Sequence, residues 1–222
     1  MARLTSTSPC LIVVPARNEE RTIEAVVTQA RSYGRVVVVD DGSDDRTAEL
    51  ARRAGATVLR HIVNLGKGAA LKTGCDYALQ LGAPTIVVLD ADAQHNPRLI
   101  PRFLKLLSRC DVVFGSRSFT AAMPAVFRFG NRAISALAQL LYGVRLHDTQ
   151  CGYRAFTASA YEKMRWQSWD YSVESEMVAR VGRRKLRYAE LPIETIYQDT
   201  YKGTTVLDGI KIVIKMLWWK VS

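Results

Sequence analysis

The sequence predicts an α/β fold: a mainly parallel sheet with helices on both faces. Three observations lead there. Short runs rich in β-branched residues, LIVVP at 11–15, RVVVVD at 35–40 and TIVVL at 85–89, lack the alternation of a half-exposed strand. Such runs suit strands covered on both sides. Segments of helical spacing follow them, and a strand–helix–strand rhythm implies crossovers and hence parallel pairing. A length of 222 residues fits one large domain with a full core.

In chain order, Leu11–Pro15 is the first strand, and Asn18 is expected to start a helix with Ile23, Val26, Val27 and Ala30 on one face. Arg35–Asp40 is the second strand, followed by Asp41-Gly42-Ser43 and a helix that Gly55 closes. Thr57–Leu59 reads as a third strand. From Lys67 a helix groups Leu71, Gly74, Cys75 and Ala78. Thr85–Leu89 and Asp111–Phe114 are further strands. After Gly115 the pattern changes: a helix over 124–142, another over Ser172–Val181, strands at Leu186–Glu190 and Ile193–Tyr197, and a final helix over Val206–Lys220. With no linker, repeat or low-complexity segment, residues 1–222 read as a single domain whose second half elaborates the first.

Hydrophobic content of 48% and charged content of 23% are those of a globular protein. No run of about eighteen apolar residues predicts a spanning helix, and MARLTSTSPC lacks the apolar stretch of a secretory signal. Cys10, Cys75, Cys110 and Cys151 are scattered, which favours free thiols in a reducing cytosol over zinc or disulfides. A net charge of +10 calls for an anionic partner: nucleic acid, a membrane surface or a phosphorylated substrate. The cations are dispersed and no nucleic-acid motif occurs, so nucleic acid is not expected.

The chemistry concentrates in IVVLDADAQ, residues 86–94. Alternate residues of an extended chain point the same way, so Asp90 and Asp92 can face one point beyond the strand. Two hard oxygen donors suit Mg²⁺ or Mn²⁺, and Mg²⁺ usually shares its shell with substrate phosphates. The bland alternative makes Asp92 a cap for a helix near Pro97. Ligands of open parallel sheets bind beyond the carboxyl ends of the strands. Pro15–Glu19, Asp40–Ser43 and Asp90–Asp92 all fall there. Asp41 either accepts from a ribose hydroxyl or base edge, or serves its turn. Asn64–Gly68 opens a helix whose N–H groups could receive an anion. Its spacing is not that of a P-loop, and Lys67 is either a diphosphate ligand or solvated.

PARNEE, VVVDDGSDDRT, NLGKGAALKTG, DADAQHNP, GSR, DTQCGYRAF and ELPIETIY follow one another over roughly residues 10–200. This series resembles the family 2 glycosyltransferases, and within them the dolichyl-phosphate mannose synthase branch of polyprenyl-phosphate sugar transferases. The resemblance implies a Rossmann-like GT-A fold, a nucleotide-sugar donor, Mg²⁺ or Mn²⁺, inversion at the anomeric carbon and a polyprenyl-phosphate acceptor. It divides the domain into a nucleotide-sugar half, about 10–115, and an acceptor half, about 116–222. Pro15, Arg17, Glu19 and Asp41 are assigned to the nucleotide, with Lys67, Asp90 and Ala91 completing the donor site. Asp90, Asp92 and Gln94 match the metal motif. Arg117 and Arg132 match the arginines that face the acceptor phosphate. Asp148 and Glu176 match acidic positions near the reaction centre, where they join Asp92 and Arg117 as catalytic candidates. Gly152, Tyr153 and Arg154 match the segment under the sugar. Glu174 can be a plain helix-surface carboxylate and is not assigned a role. Two departures stand out: Arg17 replaces a usual tyrosine, and Gln198 replaces an arginine, with Lys202 the nearest cation.

A family 2 enzyme with a hydroxyl acceptor is the first alternative, and it would need Asp148 or Glu176 as base. A sugar nucleotidyltransferase would carry a glycine-rich N-terminal loop, which PARNEE is not. The last helix pairs Lys211, Lys215 and Lys220 with Trp218 and Trp219. It suits a membrane interface or, alternatively, docking on the core. Without a spanning helix, the expected location is peripheral, on the cytoplasmic face of a membrane.

Overall fold

A computed structural model describes residues 10–117, 125–194 and 206–221. Its sheet has the strands β1 (Leu11–Ala16), β2 (Arg35–Asp41), β3 (Thr57–His61), β4 (Thr85–Val88), β5 (Val112–Arg117), β6 (Arg154–Thr157) and β7 (Tyr188–Ile193). They lie in the order β3-β2-β1-β4-β6-β5-β7. Among the described strands, only β6 runs antiparallel to its neighbours, β4 and β5. The mainly parallel α/β expectation holds.

Alternation along each strand feeds two cores. Leu11, Val13, Val37, Val39, Ile86 and Val88 face α3 (Lys67–Gln80), α5 (Ala125–Tyr142), α6 (Ala158–Met164), α7 (Val173–Arg183) and α8 (Val206–Val221). Ile12, Val14, Val36, Val38 and Val87 face α1 (Ile23–Ala30), α2 (Thr47–Arg53) and α4 (Ile100–Leu107). Burial on both faces is why these strands read as unbroken apolar runs. Each fully buried Val or Leu contributes about 1.5–3 kcal/mol.

Several expectations change. Asn18 does not start α1: at φ 53° it donates its N–H to Ser43 Oγ (3.0 Å), and its Oδ1 accepts from Asp44 N–H (3.0 Å). The chain locks onto the neighbouring loop first and turns helical only at Ile23. Gly55, at φ 96°, closes α2 as expected. The strand expected at Leu186–Glu190 is β7 and extends to Ile193, an edge strand where Pro192 is tolerated because no ladder donor is required on its outer side, while residues 195–197 of the second expected strand lie outside the described residues. Tyr197, Gln198 and Lys202 lie outside the described residues. All four cysteines are free and buried. Among the described residues, no helix is long and apolar enough to cross a membrane.

Candidate active site

The carboxyl ends of β1, β2 and β4 bring the expected donor-site residues to one edge. Pro15 is buried in β1, Arg17 is exposed just beyond it, and Glu19 donates its N–H to Thr47 Oγ1 at 2.8 Å. Asp40 accepts Ser43 N–H at 3.1 Å and pairs with Arg60 Nε at 3.1 Å. Asp41 Oδ1 lies 2.8 Å from His61 Nδ1 and accepts Leu65 N–H at 2.9 Å, while Oδ2 accepts Gly66 N–H at 2.8 Å. Asp41 therefore ties the end of β2 to the glycine-rich loop.

That loop is not an anion cradle. Leu65 and Gly66 N–H groups go to Asp41, and Gly68 and Ala69 N–H groups go to the Trp169 carbonyl (2.8 and 3.3 Å). The glycines serve close approach. A Cβ on Gly66 (φ 98°) would come within 2.3 Å of Trp169 O, and one on Gly68 within 2.2 Å of Ser168 O. Lys67 is not solvated either. Its Nζ bridges Asp90 Oδ1 (2.7 Å) and Glu174 Oε1 (2.8 Å), and the side chain is 18% exposed.

Asp90 lies two residues beyond β4, with His95 Nε2 3.4 Å from its Oδ2. Gly152 supplies the floor: a Cβ there would fall 2.3 Å from Asp90 Oδ2. Asp92 Oδ1 accepts Gln94 N–H at 3.0 Å, across Ala93 at φ 60°, and Ala91 between the aspartates is buried. Asp92 does not cap the next helix; Asn96 does, accepting Arg98 N–H at 3.0 Å. Burial raises Asp90, but the charges of Lys67 and His95 outweigh it and hold the carboxyl well below its usual range. Burial raises Asp92, and the charge of Asp90 raises it further.

These residues fit a shared divalent ion. Two neighbouring carboxylates, one held above its usual range by burial and by the charge of the other, gain from a shared cation. Among the described residues no cluster of three or more His, Cys, Asp or Glu forms a cage. The remaining ligands would come from substrate phosphate and water, as Mg²⁺ prefers.

On the other side of the sheet centre, Arg117, the last residue of β5, grips Asp148. Nε reaches Oδ2 at 2.6 Å, Nη2 reaches Oδ1 at 3.1 Å, and Asn131 Nδ2 donates to Oδ1 at 2.8 Å. Asp148 is 1% exposed. Burial would raise it, yet Arg117 and then Asn131 hold it below the ordinary carboxylate range. Arg132, next to Asn131 on α5, is exposed and makes no ion pair among the described residues. Arg154 is fully buried, donating to the carbonyls of Cys151, Glu174 and Thr149, so it braces the backbone beneath the site.

Glu176 has its carboxylate taken up by its own segment. Its carboxylate accepts Gln167 N–H (3.0 Å), Ser168 N–H (2.7 Å) and Arg180 Nε–H (2.6 Å), anchoring the segment before α7. The acid that reaches Asp90's partner is Glu174, two residues earlier. Residues two apart on a helix lie on different faces; both are buried here, and only the packing around α7 decides which one meets Lys67. His95 and Asn131 were also missed. His95 sits inside DADAQHNP, three residues past Asp92, and could have been weighed as a neighbour.

A second surface lies on α5 and α8, which pack together; Lys220 Nζ reaches Leu141 O at 2.6 Å. Ile212 and Met216 of α8 are buried, but Ile210, Ile214, Leu217, Trp218 and Val221 are exposed at three- and four-residue intervals. On α5, Phe129 and Leu140 are also exposed.

Residues 11–165 match the family model described as Glycosyl transferase family 2. The chain is 32% identical to UDP-N-acetylglucosamine–dolichyl-phosphate N-acetylglucosaminyltransferase of Methanococcus voltae, over 95% of this chain and 96% of that one. It is 35% identical to a dolichyl-phosphate hexose transferase of Haloferax volcanii, over 89% and 86% of the two chains. The fold is similar to glucosyl-3-phosphoglycerate synthase from Mycobacterium tuberculosis, crystallised with Mg²⁺ and uridine diphosphate (TM-score 0.75, 21% identity, covering 95% of this chain and 78% of that one).

Proposed function

The chain belongs to glycosyl transferase family 2 and has the GT-A fold, and from that premise we propose that it moves a hexose, with inversion, from a nucleoside-diphosphate sugar to a polyprenyl phosphate. The observation that carries the acceptor is the state of the two candidate bases. Asp148 is clamped by Arg117 and Asn131, and Glu176 by two backbone N–H groups and Arg180. A hydroxyl acceptor needs a base within reach of its proton. A phosphate acceptor is already ionised and needs none. The relatives named for dolichyl-phosphate transfer support the same choice.

In this reading residues 10–115 seat the donor and 116–222 the acceptor. Pro15, Arg17, Glu19 and Asp41 line the nucleotide end, and Lys67 and Ala91 lie beside the diphosphate. Asp90 and Asp92, with Gln94 shaping their turn, would hold Mg²⁺ or Mn²⁺, which supplies charge neutralisation of the leaving diphosphate. Arg117, oriented by Asp148, receives the acceptor phosphate. A guanidinium fork matches two phosphate oxygens where an ammonium meets one. Arg132, exposed on α5, meets phosphate at the bilayer surface. The apolar stripes of α5 and α8, flanked by Arg132, Lys211 and Lys220, seat the enzyme peripherally on the cytoplasmic face.

The test is transfer from UDP-N-acetylglucosamine, UDP-glucose and GDP-mannose to a short polyprenyl phosphate, with products identified by mass spectrometry. A metal-dependent polyprenyl-phosphate sugar is the expected product. Transfer only to a hydroxyl-bearing acceptor, with polyprenyl phosphate inert, would overturn the reading.

A further inference from the structure

Glu174 is an odd presence in this site. It is 5% exposed at the N-terminal end of α7, and its Oε1 holds Lys67 Nζ at 2.8 Å. Its other oxygen, Oε2, is buried and receives no hydrogen bond. A buried acceptor left unmatched is costly, so this carboxylate has an unused capacity beside the Lys67 ammonium, while the nearby Arg154 guanidinium is committed to the backbone carbonyls of Cys151, Glu174 and Thr149. Lys67, meanwhile, divides its ammonium between Glu174 and Asp90 Oδ1, at 2.7 Å. Asp90 is also one of the two carboxylates suited to a divalent ion. An ammonium and a divalent cation on one carboxylate repel each other, and the low exposure of Lys67 gives its charge little water to retreat into.

We propose that Glu174 is a positioning residue: it takes over the Lys67 ammonium when Asp90 turns to a divalent cation, Oε1 and the unmatched Oε2 then sharing Lys67 between them. Lys67 thereby stays close to the diphosphate position without blocking Asp90. This rests on the metal-dependent reading above and extends it to how the two cations share one acid. The chemistry is ion pairing alone; no bond forms or breaks. A glutamate at 176 cannot do this, because its oxygens are held by Gln167, Ser168 and Arg180.

Mn²⁺ binding, followed by electron paramagnetic resonance with and without UDP or GDP, tests it on four proteins: wild type, Lys67→Met, Glu174→Gln and the double variant. Lys67→Met removes the competing ammonium and should tighten Mn²⁺ about tenfold, a coupling usual within one ion-pair network. Glu174→Gln leaves Lys67 with Asp90 alone and should weaken Mn²⁺ by about the same factor. In the double variant that weakening should vanish, leaving an affinity within about twofold of Lys67→Met. A loss from Glu174→Gln that persists unchanged in the Lys67→Met background would mean a merely structural glutamate and would overturn the proposal. Circular dichroism and melting curves check folding. If Glu174→Gln does not fold, Lys67→Met still decides, since unchanged or weaker Mn²⁺ binding there refutes the competition. Absence of Mn²⁺ binding by wild type with either nucleotide would instead sink the metal-dependent reading.

Discussion

Arg117 and Asp148 meet in a two-pronged ion pair, Nε to Oδ2 at 2.6 Å and Nη2 to Oδ1 at 3.1 Å, and the Arg117 N–H also donates to Oδ2 at 3.2 Å. The Asp148 carboxylate, held at three points by Arg117, fixes the guanidinium in one orientation. Arg117→Lys keeps the charge but loses the fork. Its acceptor KM should rise about tenfold, the scale of a charged hydrogen bond, while nucleotide affinity stays near wild type. Equal losses in both would contradict the acceptor assignment.

The same pair sets an acid limit. The folded pKa of Asp148 is depressed, so its stabilisation is fully present above the unfolded value, about 3.9. It disappears as pH falls through the lower folded value. Asp148→Asn should lose about 3–5 kcal/mol at neutral pH, because Arg117 then lacks its buried partner. Below about pH 4 the gap to wild type should narrow. Urea unfolding across pH 3–7 measures both; a gap that is flat with pH would count against the assignment.

Asp92 behaves oppositely. Burial and the charge of Asp90 raise its folded pKa, so its ionised form opposes folding above the unfolded value. Asp92→Asn should therefore hold or raise the melting temperature at pH 7, while turnover falls by about a hundredfold or more, the scale of lost Lewis-acid stabilisation. Excess chelator should silence the wild type likewise. A variant that loses activity only because it unfolds would not fit.

Gly152 is expected to be a functional glycine. A Cβ there falls 2.3 Å from Asp90 Oδ2, the end of a side chain that can swing away. Gly152→Ala should displace the carboxylate and depress metal-dependent turnover about tenfold or more, as small misplacements at an active site do. The melting temperature should shift by only a few degrees, as for about 1 kcal/mol. Full activity would mean that Asp90 need not lie where it does.

What the sequence shows plainly is whatever local pattern dictates. β1, β2 and β4 are legible because both faces are buried, and Gly55 because the left-handed cap favours glycine. β6 is not: RAFT is four residues long and begins with an arginine, which is buried only because three carbonyls from 149, 151 and 174 accept from it. The glycine-rich loop is visible as glycines, yet their reason, the carbonyls of Ser168 and Trp169, lies a hundred residues away. Glu174 and Glu176 are indistinguishable until α7 is packed. Motif order picks out segments that the sheet brings to one edge, and long-range hydrogen bonds decide which side chain in each one meets its neighbours there.

Helix α8 offers a separate face for each of the two roles that the sequence left open. Ile212 and Met216 are 1% and 0% exposed, so this face belongs to the core. Leu217 and Trp218 are 50% and 65% exposed, beside Ile214 and Val221. Deleting the helix would confound the two, so single faces must be changed. Met216→Ala should cost about 2–5 kcal/mol by opening a cavity and leave vesicle binding by the folded fraction intact. Leu217→Gln with Trp218→Gln should change stability by no more than about 1 kcal/mol, as exposed sites do, yet weaken co-sedimentation with anionic vesicles. Added salt should weaken the contribution of Lys211 and Lys220, at about 1 kcal/mol per cation near the surface, but not the contribution of inserted apolar side chains. Vesicle binding that survives the double substitution at high salt would place the membrane contact elsewhere. Loss of binding with an unchanged melting curve would assign it to the outer face of α8.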